Sequence, residues 1–109
     1  MKFFNTSTFE RHIKDLKIKK SEIDSLKQIL AENPKKGDVV KGTGGCRKIR
    51  MSINNIGKRS GARVIYLYLQ IDDCIYFLVM YQKNEKTDIT KDDMKLLKKY
   101  SKFLKERKK

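Results

Sequence analysis

The feature that most constrains the fold is a pair of nearly continuous apolar segments in the second half of the chain. Residues Ala62 to Leu69 and Cys74 to Tyr81 are almost entirely aliphatic or aromatic, and only Gln70 to Asp73 separates them. Apolar runs of this length without polar alternation are typical of strands buried on both faces, and the short connection favours a hairpin. The sequence therefore predicts that this hairpin forms the centre of an antiparallel sheet.

A strand with a different pattern precedes the hairpin. From Arg47 to Ile53, apolar side chains alternate with polar ones, namely Ile49, Met51 and Ile53 with Lys48, Arg50 and Ser52. A period of two is typical of a strand that has one face in the core. The opposite face of this strand is predicted to be basic.

Helical signals lie at both ends of the chain. Ser7 to Glu10 has the pattern of a capping box, and Ser21 to Asp24 is a second helix start. Asn33-Pro34 ends the second helix, because proline disfavours helical geometry in the residue before it. A third helix is predicted from Thr90 into the basic C-terminus, with an apolar stripe made of Leu96, Leu97, Tyr100, Phe103 and Leu104. The patterns indicate one α+β domain over residues 1–109.

Charge is the first clue to function. The chain has 27 Lys and Arg against 13 Asp and Glu, a formal net charge of +14. Such an imbalance favours a polyanionic partner. The sequence has no apolar run of about 18 residues, and its start turns polar before a signal peptide could form. We therefore expect a soluble cytoplasmic protein without a membrane partner.

Metal and cofactor chemistry find little support in the sequence. Cys46 and Cys74 belong to no CxxC pair, and His12 is the single histidine, so neither a metal site nor a cofactor is predicted. Two buried thiols are expected in a reducing compartment, although a disulfide between paired strands is conceivable. His12, on a predicted helix remote in sequence from both thiols, is expected at the surface rather than as a catalytic base.

A glycine-rich segment, Gly42 to Lys48, raises the question of a phosphate-binding loop. The spacing GxxxxGK[ST] is absent, and the glycines precede a strand instead of a helix. The segment is interpreted as a flexible turn that enters a strand.

The middle of the chain concentrates cations, from Arg47 and Lys48 through Arg63 to Lys83. Adjacent antiparallel strands gather such side chains on one sheet surface, which predicts a basic RNA-binding face. Four tyrosines could act as stacking surfaces for bases, although aromatic residues on central strands are more often core: Tyr66, Tyr68, Tyr76 and Tyr81.

Three phrases together resemble a known family. They are residues 33–50 (NPKKGDVVKGTGGCRKIR), 57–66 (GKRSGARVIY) and 81–85 (YQKNE). Their order and spacing resemble the RelE/ParE superfamily of bacterial toxins, specifically its HigB-like branch. The resemblance implies a small twisted antiparallel sheet with two N-terminal helices packed on one face and a C-terminal helix. It also implies a ribosome-dependent mRNA endonuclease that is blocked by a cognate antitoxin encoded next to it.

In such toxins the 2′-hydroxyl of mRNA held in the ribosomal A site attacks the neighbouring phosphate. By resemblance, Arg63 matches the arginine that clamps the scissile phosphate, Lys83 the basic residue at the end of the last strand, and Lys48 and Arg50 the basic pair on the preceding strand. Further contacts with mRNA and rRNA are expected from Arg47, Lys58, Arg59, Lys86, Lys105 and Lys108. The cations of the last helix, Lys105 and Lys108 included, could equally be solvated.

The sequence departs from the family after the last strand. Several members place a tyrosine or histidine there, whereas residues 84–88 (NEKTD) follow here. Lys86, Glu85 or a ribosomal group are the alternatives for the general acid. A second functional interpretation is a non-catalytic inhibitor of the same fold that binds gyrase or the ribosome.

Overall fold

The computed structural model describes residues 1–53, 61–82 and 89–107. In chain order, the elements of this part are β1 (Lys2–Asn5), α1 (Ser7–Asp15), α2 (Lys20–Glu32), β2 (Asp38–Val39), β3 (Arg47–Met51), β4 (Ala62–Leu69), β5 (Cys74–Gln82) and α3 (Lys91–Arg107). The three predicted helices and the three long strands are all present, which confirms the α+β class. The cap of α1 differs in detail, because Thr6 rather than Ser7 accepts the Phe9 N–H through its hydroxyl, at 3.0 Å.

The strands form one sheet in the order β1-β5-β4-β3-β2. The central hairpin of β4 and β5 is antiparallel, as predicted, and β3 and β2 extend it in antiparallel fashion. The sequence patterns do not predict β1, which pairs in parallel with β5 and makes the sheet mixed. Its alternating side chains explain its position, because Phe3 stacks on Phe77 and Phe4 stacks on Tyr76.

An irregularity in the hairpin shifts the pairing register at its open end, the end away from the turn between β4 and β5. Tyr66 is opposite Phe77, but the next residue along β4, Ile65, is opposite Val79. Leu78 is therefore an extra residue in β5, and both Leu78 and Val79 pack in the cluster under α3. This arrangement is a β-bulge, which keeps the two strands paired while changing which residues face each other beyond it.

One face of the sheet is covered by α1 and α2. Phe9, Leu26 and Leu30 pack there against the inward side chains of β3, β4 and β5. At its centre the buried Tyr66 hydroxyl accepts the Gly37 N–H at 2.9 Å and donates to the Pro34 carbonyl at 2.8 Å. These hydrogen bonds fasten the turn that follows α2 to the middle of the sheet.

The opposite face is covered by α3, which explains why β4 and β5 are apolar on both sides. Leu97 and Leu104 are buried against Ile65, Leu67 and other residues of this face. The predicted stripe of α3 was too wide, because Leu96, Tyr100 and Phe103 are exposed. Leu97, Ser101 and Leu104 face the sheet. The spacing of a helix places positions 96, 100 and 103 on a different side, so they cannot face the same surface.

The glycine-rich segment is a turn that enters β3, as predicted, and hydrogen bonds anchor it. The Thr43 hydroxyl donates to the Val40 carbonyl and accepts the Cys46 N–H, at 2.6 and 3.1 Å. The Ser101 hydroxyl of α3 donates to the Thr43 carbonyl at 3.0 Å. The turn therefore connects the start of β3 to the helix that covers the second face.

His12, expected at the surface, is half-buried at the edge of the sheet. Its Nδ1 accepts the backbone N–H of Met80 at 3.0 Å. Pairing of β5 with β1 ends at Phe77, and the hydrogen bond with His12 lies beyond that point on the same strand. This contact gives His12 a structural role.

Both cysteines are free and buried in the cluster under α3. Burial raises the pKa of the Cys46 thiol, against smaller opposing effects of the hydrogen bond with Thr43 and the charge of Lys105. The expected pair of buried thiols is thus confirmed, and neither has the electropositive, open surroundings of a reactive cysteine.

We expect Tyr66→Phe to lower the free energy of unfolding by about 2 kcal/mol, because it leaves a buried N–H and a buried carbonyl without their partner. Chemical denaturation measures the change. Tyr100→Phe is the matched control, since the Tyr100 ring lies at the surface, and it should change stability by less than about 0.5 kcal/mol. Equal effects of the two substitutions would contradict this role of Tyr66.

Gly44→Ala tests the contact between the turn and α3. Gly44 has φ +76°, and an added Cβ would clash with the Ser101 Oγ, whereas at Gly42, with φ +83°, an added Cβ would meet only the Met94 Sδ at 3.7 Å, an ordinary van der Waals contact. Gly42→Ala should therefore cost only the backbone strain of roughly 1–2 kcal/mol. Gly44→Ala should cost measurably more, and this excess should disappear in a Ser101→Ala background. An excess that persists there would show that Ser101 is not the obstacle.

Candidate functional site

The register of the sheet places three polar side chains in one line across the central strands. Arg63 on β4 is directly opposite Arg50 on β3 and directly opposite Tyr81 on β5. Side chains at such positions have Cβ atoms about 5 Å apart. We call Arg50, Arg63 and Tyr81 the basic row.

Arg63 is the buried member of the row. Its side chain is 5% exposed, and its Nη1 donates to the Ala62 carbonyl at 3.3 Å. Burial lowers the pKa of the Arg63 guanidinium, the charge of Arg50 acts in the same direction, and Tyr81 opposes both. The guanidinium remains charged at neutral pH because its ordinary pKa is so high.

The two arginines of the basic row repel each other and attract an anion. Arg50 is exposed, and two like charges directly opposite each other on paired strands are destabilising. Neither cross-strand position beside Arg63 carries a carboxylate, since Arg50 and Tyr81 occupy them. An anion with several oxygens, such as a phosphate, can accept from both guanidinium groups at once.

Lys48 lies on the same face, two residues before Arg50 on β3. It is half-buried, and its cross-strand neighbours are Ile65 on β4 and Asp38 on β2. The structure thus brings three of the predicted site residues onto one surface: Lys48, Arg50 and Arg63. Lys48 differs from Arg63 in having an acidic residue opposite it.

Arg47 points to the other face of the sheet, away from the basic row. It is opposite Tyr66, and its Nη1 donates to the carbonyl oxygens of Lys35 and Gly37, at 3.1 and 2.7 Å. Its predicted grouping with the RNA-facing cations does not match this geometry, because alternation along β3 separates it from Lys48. The structure gives Arg47 a role in holding the turn after α2.

Lys105 is also engaged within the protein. Its Nζ donates to the Gly44 carbonyl, which attaches the C-terminal half of α3 to the glycine turn. The remaining predicted site residues lie outside the described part of the chain: Lys58, Arg59, Lys83, Lys86 and Lys108.

The four tyrosines separate into core and site residues. Tyr66 and Tyr76 are buried in the two cores, and Tyr68 packs against the first. Tyr81 is half-buried and packs against the second core, and it is also the tyrosine that lies directly opposite Arg63. A simple count back from the hairpin turn would place Met80 opposite Arg63, so only knowledge of the bulge could have identified Tyr81.

Within residues 1–53, 61–82 and 89–107, no cluster of three or more His, Cys, Asp or Glu side chains could bind a metal ion. None of the helices in the same ranges is long and apolar enough to cross a membrane.

Comparisons with known proteins agree with this architecture. The sequence matches the family described as "RelE toxin of RelE / RelB toxin-antitoxin system" over residues 1–109. Among solved structures, a double mutant of the E. coli toxin RelE in the free state is similar with a TM-score of 0.52 and 18% identity, covering 79% of this chain and 86% of that one.

The intact E. coli RelBE toxin-antitoxin complex contains a second similar chain. The match has a TM-score of 0.50 and 15% identity, and it covers 72% of this chain and 92% of the other. At such identities the likeness shows the fold, while the family match extends over the whole sequence. The chain therefore belongs to the RelE family of toxins of toxin-antitoxin systems.

Proposed function

We propose that this protein is a ribosome-dependent endoribonuclease of a type II toxin-antitoxin system, in the HigB-like branch of its superfamily. It cleaves translated mRNA in the ribosomal A site and so inhibits translation and growth. The observation that carries the proposal is the position of Arg63, which is buried between Arg50 and Tyr81. A planar guanidinium is suited to donate two hydrogen bonds to one phosphate, and the exposed Arg50 directly opposite adds a second positive charge.

The chemistry fits this set of groups. The 2′-hydroxyl attacks the adjacent phosphate, and negative charge grows on the nonbridging oxygens in the transition state. Arg63 can donate two hydrogen bonds to such a group, and Arg50 adds a second positive charge. Tyr81 offers a ring or a hydroxyl beside the phosphate. Lys48 on the same face is suited to hold the flanking backbone.

Proton transfer is assigned to residues that follow β5 in the sequence. Lys83 follows β5 by one residue and is the candidate general base, with Lys86, Glu85 or a ribosomal group as the acid. The ribosome supplies the positioning, which can contribute much of the rate enhancement and reduce the need for a histidine and glutamate pair.

The partners follow from the same proposal. A cognate antitoxin binds the protein, as the E. coli RelBE complex contains both toxin and antitoxin. The net charge of +14 favours acidic groups on that partner and steers the protein toward rRNA and mRNA at low salt. The proposed location is the cytoplasm, where ribosomes are available.

Arg63→Ala should lower single-turnover cleavage of mRNA on programmed ribosomes by roughly 10²-fold or more, because it removes a preorganised charge donor. Arg63→Lys should recover little, since an ammonium cannot form the bidentate contact. Arg11→Ala is the matched control, because Arg11 is an exposed arginine on α1, and it should cleave at the wild-type rate. A folded Arg63→Ala protein that cleaves normally would refute the assignment.

Arg50→Gln should separate function from stability. Removing the charge opposite Arg63 should raise the free energy of unfolding by roughly 0.2–1 kcal/mol while it lowers cleavage. The gain in stability should shrink as salt is added, because salt screens the repulsion. Thermal melts at low and high salt, together with the cleavage assay, measure both effects. A less stable Arg50→Gln protein would contradict the repulsive arrangement.

Primer extension on cellular transcripts after induction tests the reaction class. Discrete cuts within translated reading frames are expected for the wild-type protein and should be absent for Arg63→Ala. Intact transcripts accompanied by DNA-damage signalling would instead support the inhibitor of gyrase, and intact transcripts with stalled ribosomes would support a non-catalytic ribosome inhibitor.

A further inference from the structure

The outer edge of β3 is only partly covered by its neighbouring strand. In the described part of the sheet, β2 pairs with Arg47 and Lys48 alone, so no strand adjoins this edge from Ile49 to Met51. The turn before β2 is fastened toward the middle of the sheet by its hydrogen bonds with the Tyr66 hydroxyl, which keeps β2 short. A cavity of about 320 Å³ lies between the open part of this edge and α2. We call it the β3-edge cavity.

Three apolar side chains form the inner wall of the β3-edge cavity. Leu26 and Met51 are 2% and 5% exposed, and Ile29 is half-buried and packs against the same core. The cavity volume is at the lower end of the range for sites that bind small molecules. Apolar walls of this kind suit a flat aromatic ring, and a methionine thioether makes a favourable contact with such a ring.

Polar groups line the outer part of the same cavity. Ser25 and Ser52 are exposed, and Glu22 is half-buried. The Glu22 Oε1 accepts the Lys19 N–H at 2.9 Å, which fixes the position of this side chain before any ligand binds. Two hydroxyls and a carboxylate provide both hydrogen-bond donors and acceptors. The edge of a nucleobase needs this combination, because it carries both kinds of group.

Arg50 connects the β3-edge cavity with the candidate site. It lines the cavity and lies directly opposite Arg63 in the basic row. Because side chains alternate along a strand, Arg50 and Ser52 point to the face of the basic row, whereas Met51 packs under α2. A cavity lined by all three residues therefore lies at the margin of the sheet, where it adjoins the basic row.

We propose that the β3-edge cavity binds one base of the RNA substrate, a base next to the scissile phosphate, and so sets the sequence preference of cleavage. The inference rests on the proposed function, because the basic row has to hold a phosphate of the same strand. Sequence-specific recognition of RNA uses unstacked bases that stack on aromatic or guanidinium planes and form hydrogen bonds through their edges. Arg50 offers the plane, while Ser25, Ser52 and Glu22 offer partners for the edge.

The size and charge of the cavity disfavour other ligands. An α-helix of a partner protein is about 10 Å wide with its side chains, which is too wide for a cavity of about 320 Å³. Glu22 is the one carboxylate among the described lining residues, and a divalent cation needs several oxygen ligands. The net charge of +14 attracts a polyanion to the surface around the cavity.

Single-turnover cleavage on ribosomes programmed with mRNAs that differ only in one base beside the scissile bond measures the preference. The wild-type protein should favour one base by about tenfold or more. Ser25→Phe fills the cavity and should remove most of this preference. Gln28→Phe is the matched control, because Gln28 is an exposed polar residue of α2 outside the cavity lining, and it should keep the wild-type preference. Equal rates for all bases in the wild type, or an unchanged preference in Ser25→Phe, would overturn the proposal.

The variant Ser25→Ala/Ser52→Ala removes the two hydroxyls without filling the cavity or touching the core. It should lower the cleavage rate for the preferred base by about fivefold or more, because two hydrogen bonds to that base are lost. The rates for the other bases should change little. An equal loss for all four bases would give the serines a structural role and contradict the proposal.

NMR of the methyl groups without ribosomes separates this inference from the proposed cleavage. The probes are trinucleotides of 2′-deoxyribose containing each of the four bases, which lack the attacking 2′-hydroxyl. At least one of them should shift the Ile29 and Met51 methyl signals, since a base tethered to a bound phosphate has a high effective concentration at the cavity. Ribose 5-phosphate should shift only the arginine signals of the basic row.

The two proposals can fail independently in this experiment. Methyl shifts in a protein that does not cleave mRNA would refute the nuclease and retain the cavity as a base-binding site. Unshifted methyl signals at trinucleotide concentrations that saturate the arginine signals would overturn the inference about the cavity, even if the protein cleaves mRNA normally.

Discussion

The structure depends on the pairing of β4 with β5. Both faces of this hairpin are apolar, so each face needs its own helical cover, and α1 with α2 provide one while α3 provides the other. The bulge at Leu78 is part of the same pairing. Because of it, Tyr81 rather than Met80 lies opposite Arg63, and the polar end of the hairpin carries the basic row.

The two ends of the hairpin differ in how their side chains affect the stability of the fold. Near the turn, packing under α3 stabilises the sheet through buried apolar area. At the open end, Arg63 is buried and faces Arg50, an arrangement that opposes stability. The proposed phosphate would accept hydrogen bonds from both arginines at once.

Much of the fold could be predicted from the sequence, because hydrophobic periods and caps are local signals. The apolar runs from Ala62 and Cys74 and the alternation after Arg47 located three strands correctly. Contacts between distant residues were harder. Three features depend on contacts between residues far apart in the sequence, which no local pattern encodes. They are the parallel pairing of β1, the hydrogen bond of His12 at the edge of β5 and the attachment of the glycine turn to Ser101. For the site, the alternation along β3 predicted that Lys48 and Arg50 share a face. The position of Tyr81 opposite Arg63 could be known only from the pairing register of β4 and β5.

The central claim is that Arg63 donates hydrogen bonds to a nonbridging oxygen of the scissile phosphate. Its most direct test is single-turnover cleavage of ribosome-bound mRNA that carries a single phosphorothioate at the cleavage site, with the two diastereomers separated. Sulfur accepts hydrogen bonds more weakly than oxygen, so the wild-type protein should cleave one diastereomer markedly more slowly than the other. Arg63→Ala should reduce that difference, while Arg11→Ala should retain it. An undiminished difference in Arg63→Ala would contradict the account.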